Sequence, residues 1–236
     1  MRLDKFLSDC GVATRRETAK AVRMGQILVN GKAAERPDHK VDETSDRVTF
    51  CGREIVWQKF VYLLLNKPAG YLSATEDGRG ATVLDLLPEE YRRMGLFPCG
   101  RLDKNTTGLL LLTNDGDLCH RLLSPKYHVE KTYLVKAKFT ISEDDIASLE
   151  AGLDLGDFTT KPCRTERIGE KEILLTITEG KFHQVKRMLE TVHNQVVELE
   201  RVAFGGLTLS KELKQGDFRP LTKEEQNTLF AKGNRT

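Results

Sequence analysis

Asp103 lies in the most unusual segment of the chain. Gly100-Arg101-Leu102-Asp103-Lys104-Asn105-Thr106-Thr107-Gly108 directly precedes Leu109–Thr113, a continuous apolar run of the kind a strand buried on both faces requires. Glycines at both ends, with polar residues between, predict a loop held rigidly at the edge of a sheet, where catalytic side chains concentrate. A carboxylate fixed there can act as a nucleophile or stabilise positive charge that develops on a substrate. It can equally serve only its own loop, accepting from backbone amides with help from Thr106 and Thr107. Three further segments carry polar groups beside predicted elements. Asn66-Lys67-Pro68-Ala69-Gly70-Tyr71 follows an apolar strand, and Glu130-Lys131-Thr132-Tyr133-Leu134-Val135 places an aromatic ring on another. Glu179-Gly180-Lys181-Phe182-His183-Gln184-Val185-Lys186-Arg187 opens a helix with basic residues around it. There is no Gly-x-Gly-x-x-Gly after a strand, no phosphate-binding loop and no metal-ligand spacing. No metal and no cofactor are expected.

The elements that must hold these groups read mainly as strands punctuated by turns from Phe60 to Thr222. Leu109–Thr113 is closed by Asn114-Asp115-Gly116. Lys131–Lys138 alternates, with Tyr133, Val135 and Ala137 on one side. Ile173–Thr178 is a further strand, and Gly180 breaks it before a helix from about His183 to His193 with Val185, Met188, Leu189 and Val192 as its buried stripe. Thr222 with Glu225 caps a last helix. The expected class is α+β with a large, mostly antiparallel sheet.

The 236 residues exceed one minimal domain, and 39% hydrophobic with 31% charged residues describes an ordinary soluble globular protein. No apolar run approaches the length that spans a bilayer, and the N-terminus lacks a signal-peptide apolar region. Five scattered cysteines without a Cys-x-x-Cys pair read as reduced thiols in a cytoplasmic protein. A formal net charge of +2 says little by itself, but its distribution says more.

Residues 1–45 form a small unit of their own. Leu3, Phe6, Leu7 and Cys10 make one helical stripe that Gly11 ends. A second helix starts at Thr14 with Glu17 completing a capping box, and stops near Gly25. Ile27-Leu28-Val29 then runs into Asn30-Gly31, the strongest short hairpin signal. Arg2, Lys5, Arg15, Arg16, Lys20, Arg23 and Lys32 outnumber Asp4, Asp9 and Glu17, an electrostatic footprint suited to phosphate. Residues 46–59 read as an extended connection, and 60–236 as the larger unit.

Two resemblances fit these features. The strings Arg2-Leu3-Asp4-Lys5-Phe6-Leu7, Arg15-Arg16 and Gly25-Gln26-Ile27-Leu28-Val29-Asn30-Gly31-Lys32 resemble the RNA-binding module named after ribosomal protein S4, with Thr14-Arg15 where that module usually has Ser-Arg. The four motifs of residues 60–221, in order and at similar spacing, resemble the RsuA-type branch of the pseudouridine synthases, enzymes of ribosomal RNA. That resemblance implies a uridine isomerised to pseudouridine after extrusion from its stack. It implies Asp103 as the catalytic aspartate, Tyr133 as the active-site tyrosine and Lys186 as the basic partner of the aspartate. Arg101 corresponds to the arginine that fills the gap left by the extruded nucleotide, and Arg15, Arg16, Lys20 and Lys32 are the expected phosphate contacts. His183 is expected to pack or touch RNA, and either Leu175 or Ile177 to lie under the base.

Ser124-Pro125 followed by His128, Thr160-Lys161-Pro162, and the end soon after Leu221 look like the small-subunit branch, implying uridine 516 of 16S rRNA as target. A large-subunit (23S) enzyme is the alternative within the family, and a non-catalytic RNA-binding or ribosome-assembly factor the alternative outside it. A methyltransferase is disfavoured by the missing glycine-rich nucleotide loop. The expected partner is ribosomal RNA, with no membrane and a monomeric protein.

Overall fold

The structure, a computed structural model, describes residues 1–233. By packing, the chain divides into two compact units: Met1–Val61 with Leu84–Phe97, and Tyr62–Val83 with the chain from Pro98 onward.

The first unit opens with α1 (Leu3–Asp9) and α2 (Arg15–Arg23). Leu3, Phe6 and Leu7 are fully buried along one face of α1, and Gly11, at φ +68°, turns the chain where a side chain would be strained. The capping box at α2 is complete: the Glu17 amide donates to Thr14 Oγ1 at 3.2 Å and the Thr14 amide to Glu17 Oε2 at 2.7 Å. β1 (Ile27–Val29) and β2 (Lys32–Ala33) are joined through Asn30 and Gly31, both at positive φ, as a two-residue hairpin demands. The segment 46–59, expected as an extended connection, instead carries β3 (Val48–Phe50) and β4 (Arg53–Ile55), which complete a four-stranded sheet in the order β2-β1-β3-β4. Val48 is fully buried in the same apolar cluster as Phe6 and Ile27, so this strand belongs to the core of the unit. The short α3 (Glu89–Arg92) packs here as well, although it lies within the span 60–236. A Cβ on Gly11 would meet the Glu90 carbonyl, and Arg93 pairs with Glu17 at 3.0 Å.

The second unit is a nine-stranded sheet with flanking helices. Its strands are β5 (Tyr62–Lys67), β6 (Phe97–Pro98), β7 (Thr107–Thr113), β8 (Lys131–Ala137), β9 (Arg164–Gly169), β10 (Glu172–Ile177), β11 (Val196–Phe204), β12 (Leu207–Thr208) and β13 (Phe218–Pro220). Its helices are α4 (Gly116–Leu123), α5 (Glu143–Ala151), α6 (Gln184–Thr191) and α7 (Lys223–Gly233). The main path is β13-β5-β7-β11-β8-β10-β9, with β6 beside β7 and β12 beside β11. β7 and β11 run parallel, whereas β5–β7, β11–β8, β8–β10, β10–β9 and β13–β5 are antiparallel. The class is α+β, as the alternation of the sequence predicts.

The apolar runs behave as their composition requires. Leu109–Leu112 and Leu63–Leu65 are fully buried in adjacent strands, and β8 alternates buried and half-buried residues. The parallel contact between β7 and β11 is unusually close. Gly108, at φ +99°, pairs with Arg201, and a Cβ there would stand 2.4 Å from the Arg201 carbonyl oxygen. Glycine is therefore required where the Gly100–Gly108 segment becomes a strand. The Arg201 side chain, itself buried, donates from Nε to the Leu109 carbonyl at 2.8 Å and clamps the same junction. The expected cap of α7 is present, with the Glu225 amide donating to Thr222 Oγ1 at 3.2 Å. Among the described residues, no helix is long and apolar enough to cross a membrane.

Candidate active site

The loop between Gly100 and Gly108 is held by the segment that follows β5. Lys67, fully buried at the end of that strand, donates from Nζ to the carbonyls of Pro68, Lys104 and Thr106, each at 3.0 Å. Burial lowers its pKa to about 8, and the nearby carboxylate of Asp103 opposes that shift. Gly70 donates its amide to the Lys104 carbonyl at 2.9 Å. Ser73 makes a reciprocal pair with Leu102, donating from Oγ to its carbonyl at 2.9 Å and accepting from its amide at 3.1 Å. The Thr106 amide closes a turn onto the Asp103 carbonyl at 3.1 Å. The backbone on both sides of Asp103 is thus fixed by groups outside the loop, and among the described residues no backbone amide donates to the carboxylate, which lines a cleft.

Lys186, in the first turn of α6, donates from Nζ to Asp103 Oδ2 at 2.9 Å. His183 Nε2 stands 3.6 Å from Oδ1 of the same carboxylate. His183 itself is left-handed, at φ 51°, directly before α6. Non-glycine residues in that conformation are sparse and cluster at functional sites. Gln184 braces the turn, accepting from the Lys181 amide at 3.0 Å and donating to Glu179 Oε1 at 2.8 Å. Further along α6, Arg187 bonds the Leu155 carbonyl at 2.8 Å and pairs with Asp157, tying the helix to the loop before β9.

The cleft is lined by Arg101, Asp103, Tyr133, Ile177, Lys186 and Leu199 among others. Tyr133 is almost wholly buried on β8, where it pairs in register with Leu175 of β10 and Arg201 of β11. Ile177 lines the cleft; Leu175 is fully buried and is not part of the lining. The arrangement sets one half-buried carboxylate, matched to an ammonium, above an apolar floor with a phenol ring at its side. Such a site can take a flat polar ring on the floor and place an anion beside the carbon to which that ring is attached.

Arg101 and Asp103, neighbours in one loop, are thereby brought together with Tyr133 and Lys186 from distant parts of the sequence. Arg15, Arg16, Lys20 and Lys32 lie in the other unit, on α2 and β2, and all four are exposed. Lys67, Ser73 and Gln184 had no sequence-derived role. Only Lys67 carried a signal, a lysine closing an otherwise buried strand. Among the described residues, no group of three or more His, Cys, Asp or Glu side chains is arranged to hold a metal ion.

Residues 61–191, more than half the chain, match the family model for RNA pseudouridylate synthase. The chain belongs to the RNA pseudouridylate synthase family. This pseudouridine synthase carries an S4 domain at residues 1–48. It is 48% identical to an uncharacterized RNA pseudouridine synthase of Bacillus subtilis, over 97% of this chain and 98% of that one. It is 40% identical to ribosomal small subunit pseudouridine synthase A of Escherichia coli K12, over 95% and 98% of the two chains. A crystal structure of a pseudouridylate synthase, 36% identical, superposes on the synthase with a TM-score of 0.69, covering 97% of this chain and 99% of the other.

Proposed function

We propose that this synthase isomerises a uridine of small-subunit ribosomal RNA, uridine 516 of 16S rRNA, with Asp103, Tyr133 and Lys186 as its catalytic residues. The observation that carries the chemistry is the Lys186–Asp103 pair at 2.9 Å at the mouth of a cleft that also holds Tyr133. Lys186 holds the carboxylate in place through that bond. The extruded uridine lies with its base over Ile177 and against the Tyr133 ring. The C1′–N1 bond breaks while Asp103 attacks the ribose or assists removal of the base. Uracil turns in place and C5 bonds to C1′, breaking any bond made to Asp103; C5 then loses its proton with the Tyr133 hydroxyl beside it, and N1 gains one. Nothing is oxidised or reduced. Arg101, exposed at the cleft, occupies the gap left in the RNA stack.

The choice of RNA rests on the relatives named for the small ribosomal subunit, at 40–42% identity over nearly their full lengths. Mapping pseudouridines in cells with and without the protein is expected to show one site lost from small-subunit rRNA. Loss only from large-subunit rRNA would overturn the substrate and leave the chemistry standing.

The N-terminal module supplies affinity in this reading. Arg15, Arg16, Lys20 and Lys32 are exposed, and among the described residues none is held in an ion pair, so each is available to a phosphate. Neutralising all four is expected to flatten the dependence of log Kd on log salt by about 0.7–0.9 per lost contact. Turnover at saturating RNA should change far less. An unaltered salt slope would mean that these side chains are ordinary solvated surface.

A further inference from the structure

The side chain that the catalytic account leaves idle is Phe182. It is 75% exposed, an unfavourable place for a phenyl ring, and it lies between Lys181 and His183, which both line the cleft. Its ring is stacked on the His183 imidazole, with centroids 3.9 Å apart and planes within 16°. The imidazole is fixed in turn by its left-handed backbone and by its approach to Asp103. The two rings therefore form a short, braced stack at the rim of the cleft, backed by His183 and open towards solvent. Other exposed apolar side chains are placed differently: Val56, Met24 and Val197 are aliphatic, and Phe139 carries the Lys138 ammonium 5.3 Å from its ring centroid.

We propose that the Phe182–His183 stack is a subsite for the base of a nucleotide adjacent to the target uridine. The inference rests on the reading that the cleft receives an extruded uridine. Extrusion strips the neighbouring bases of one stacking partner, and an aromatic face at the rim replaces it. Stacking of that kind tolerates any base, because every base has a π-face. Lys181 and Arg101, exposed on the same cleft, supply positive charge for the intervening phosphates. The backbone strain at His183 thereby acquires a purpose, since it aims the ring that supports Phe182.

The test uses the full-length protein and single-stranded RNA nonamers with a central uridine, carrying 2-aminopurine on its 5′ side or on its 3′ side. The wild-type protein is expected to quench the fluorescence of one of the two on binding. Phe182→Ala should abolish that quench and weaken binding of the same RNA at least about fivefold, the scale of one lost base stack. Phe182→Tyr should keep both. With an abasic nucleotide at the stacked position, Phe182→Ala should have no further effect. Equal quenching by wild type and Phe182→Ala, quenching of neither RNA by wild type, or an equal loss on the abasic RNA would each overturn the subsite. The thermal midpoint of Phe182→Ala should match wild type, because so exposed a ring contributes little to the fold. Tritium release by the wild-type protein from rRNA labelled at uridine C5 is measured separately. Its absence would sink the catalytic reading, while the quenching result still decides the subsite.

Discussion

Asp103→Asn is expected to lower pseudouridine formation by at least about a thousandfold while leaving the melting temperature close to wild type. Asparagine nearly matches the shape of aspartate, and the loop does not depend on the carboxylate for its conformation. Lys67, Gly70 and Ser73 hold the backbone on both sides. The ion pair with Lys186 is about 30% exposed on each side, a setting in which such pairs contribute little to stability. In the proposed reaction the substitution removes the negative charge next to the glycosidic carbon, and a charge-stabilising or nucleophilic group of that kind commonly supplies several kcal/mol to the transition state. The measurement is tritium release from RNA labelled at uridine C5, because rejoining at C5 expels that hydrogen. A variant that still releases tritium at near wild-type rate would reduce Asp103 to a loop residue.

Lys67→Met should fail in the opposite way, losing stability and activity together. Methionine fills the volume of the lysine stem but leaves the carbonyls of Pro68, Lys104 and Thr106 without their common donor. Orphaned acceptors cost about 1–3 kcal/mol each when buried, partly offset here because the variant no longer buries a charge. A net loss on the order of 2–4 kcal/mol is expected, or several degrees in the thermal midpoint. Turnover should fall by at least about tenfold, because the loop that aims Asp103 loosens. The pH dependence has a definite sign. The folded-state pKa of Lys67 lies near 8, below the ordinary lysine value, so the cost of burying its charge is present in full below pH 8. Between that point and about 10.5 the unfolded chain binds more protons than the folded one, and the wild-type fold gains relative to the variant. The deficit of Lys67→Met should therefore widen as pH rises through that window. A deficit that narrows would show that the folded state holds the Lys67 proton more tightly than the unfolded chain does.

The sequence exposed more of the fold's punctuation than of its internal polar framework. The capping boxes at Thr14 and Thr222 and the hairpin at Asn30-Gly31 are local devices, complete within a few residues, and they are where the spacing places them. The strand of leucines after Gly108 was equally plain, since no other element suits so short and continuous an apolar run. Residues 46–59 were harder: β3 is three residues long, and its pairing with β1 is a contact that local patterning does not encode. The motifs identified four side chains of the cleft, but not what holds them. Lys67 and Lys131 are both buried lysines, which a polarity pattern assigns to solvent, and burial lowers each to a pKa of about 8. Leu175 and Ile177 share one face of β10, and only Ile177, at the end of the strand, lines the cleft. Partners of this kind are fixed by the paths of strands far apart in sequence, so no spacing announces them.

The parallel contact between Gly108 and Arg201 also sets a timetable for synthesis. Arg201 clamps the Leu109 carbonyl across 92 positions of chain, and Asn66 donates to the Leu213 carbonyl across 147. A ribosome adding about 5–20 residues per second needs roughly 5–20 s to make the first of these spans. Throughout that interval β7 is complete but lacks its neighbour β11, and the Asp103 loop has its Lys67 anchor without the strand that fixes its far end. The Thr107–Gly108 end of β7, where β11 will pair, is then an open strand edge. A nascent or truncated chain ending before Val196 would thus hold every residue of the Gly100–Gly108 loop, yet leave the end of that loop without its strand partner and open to chaperones.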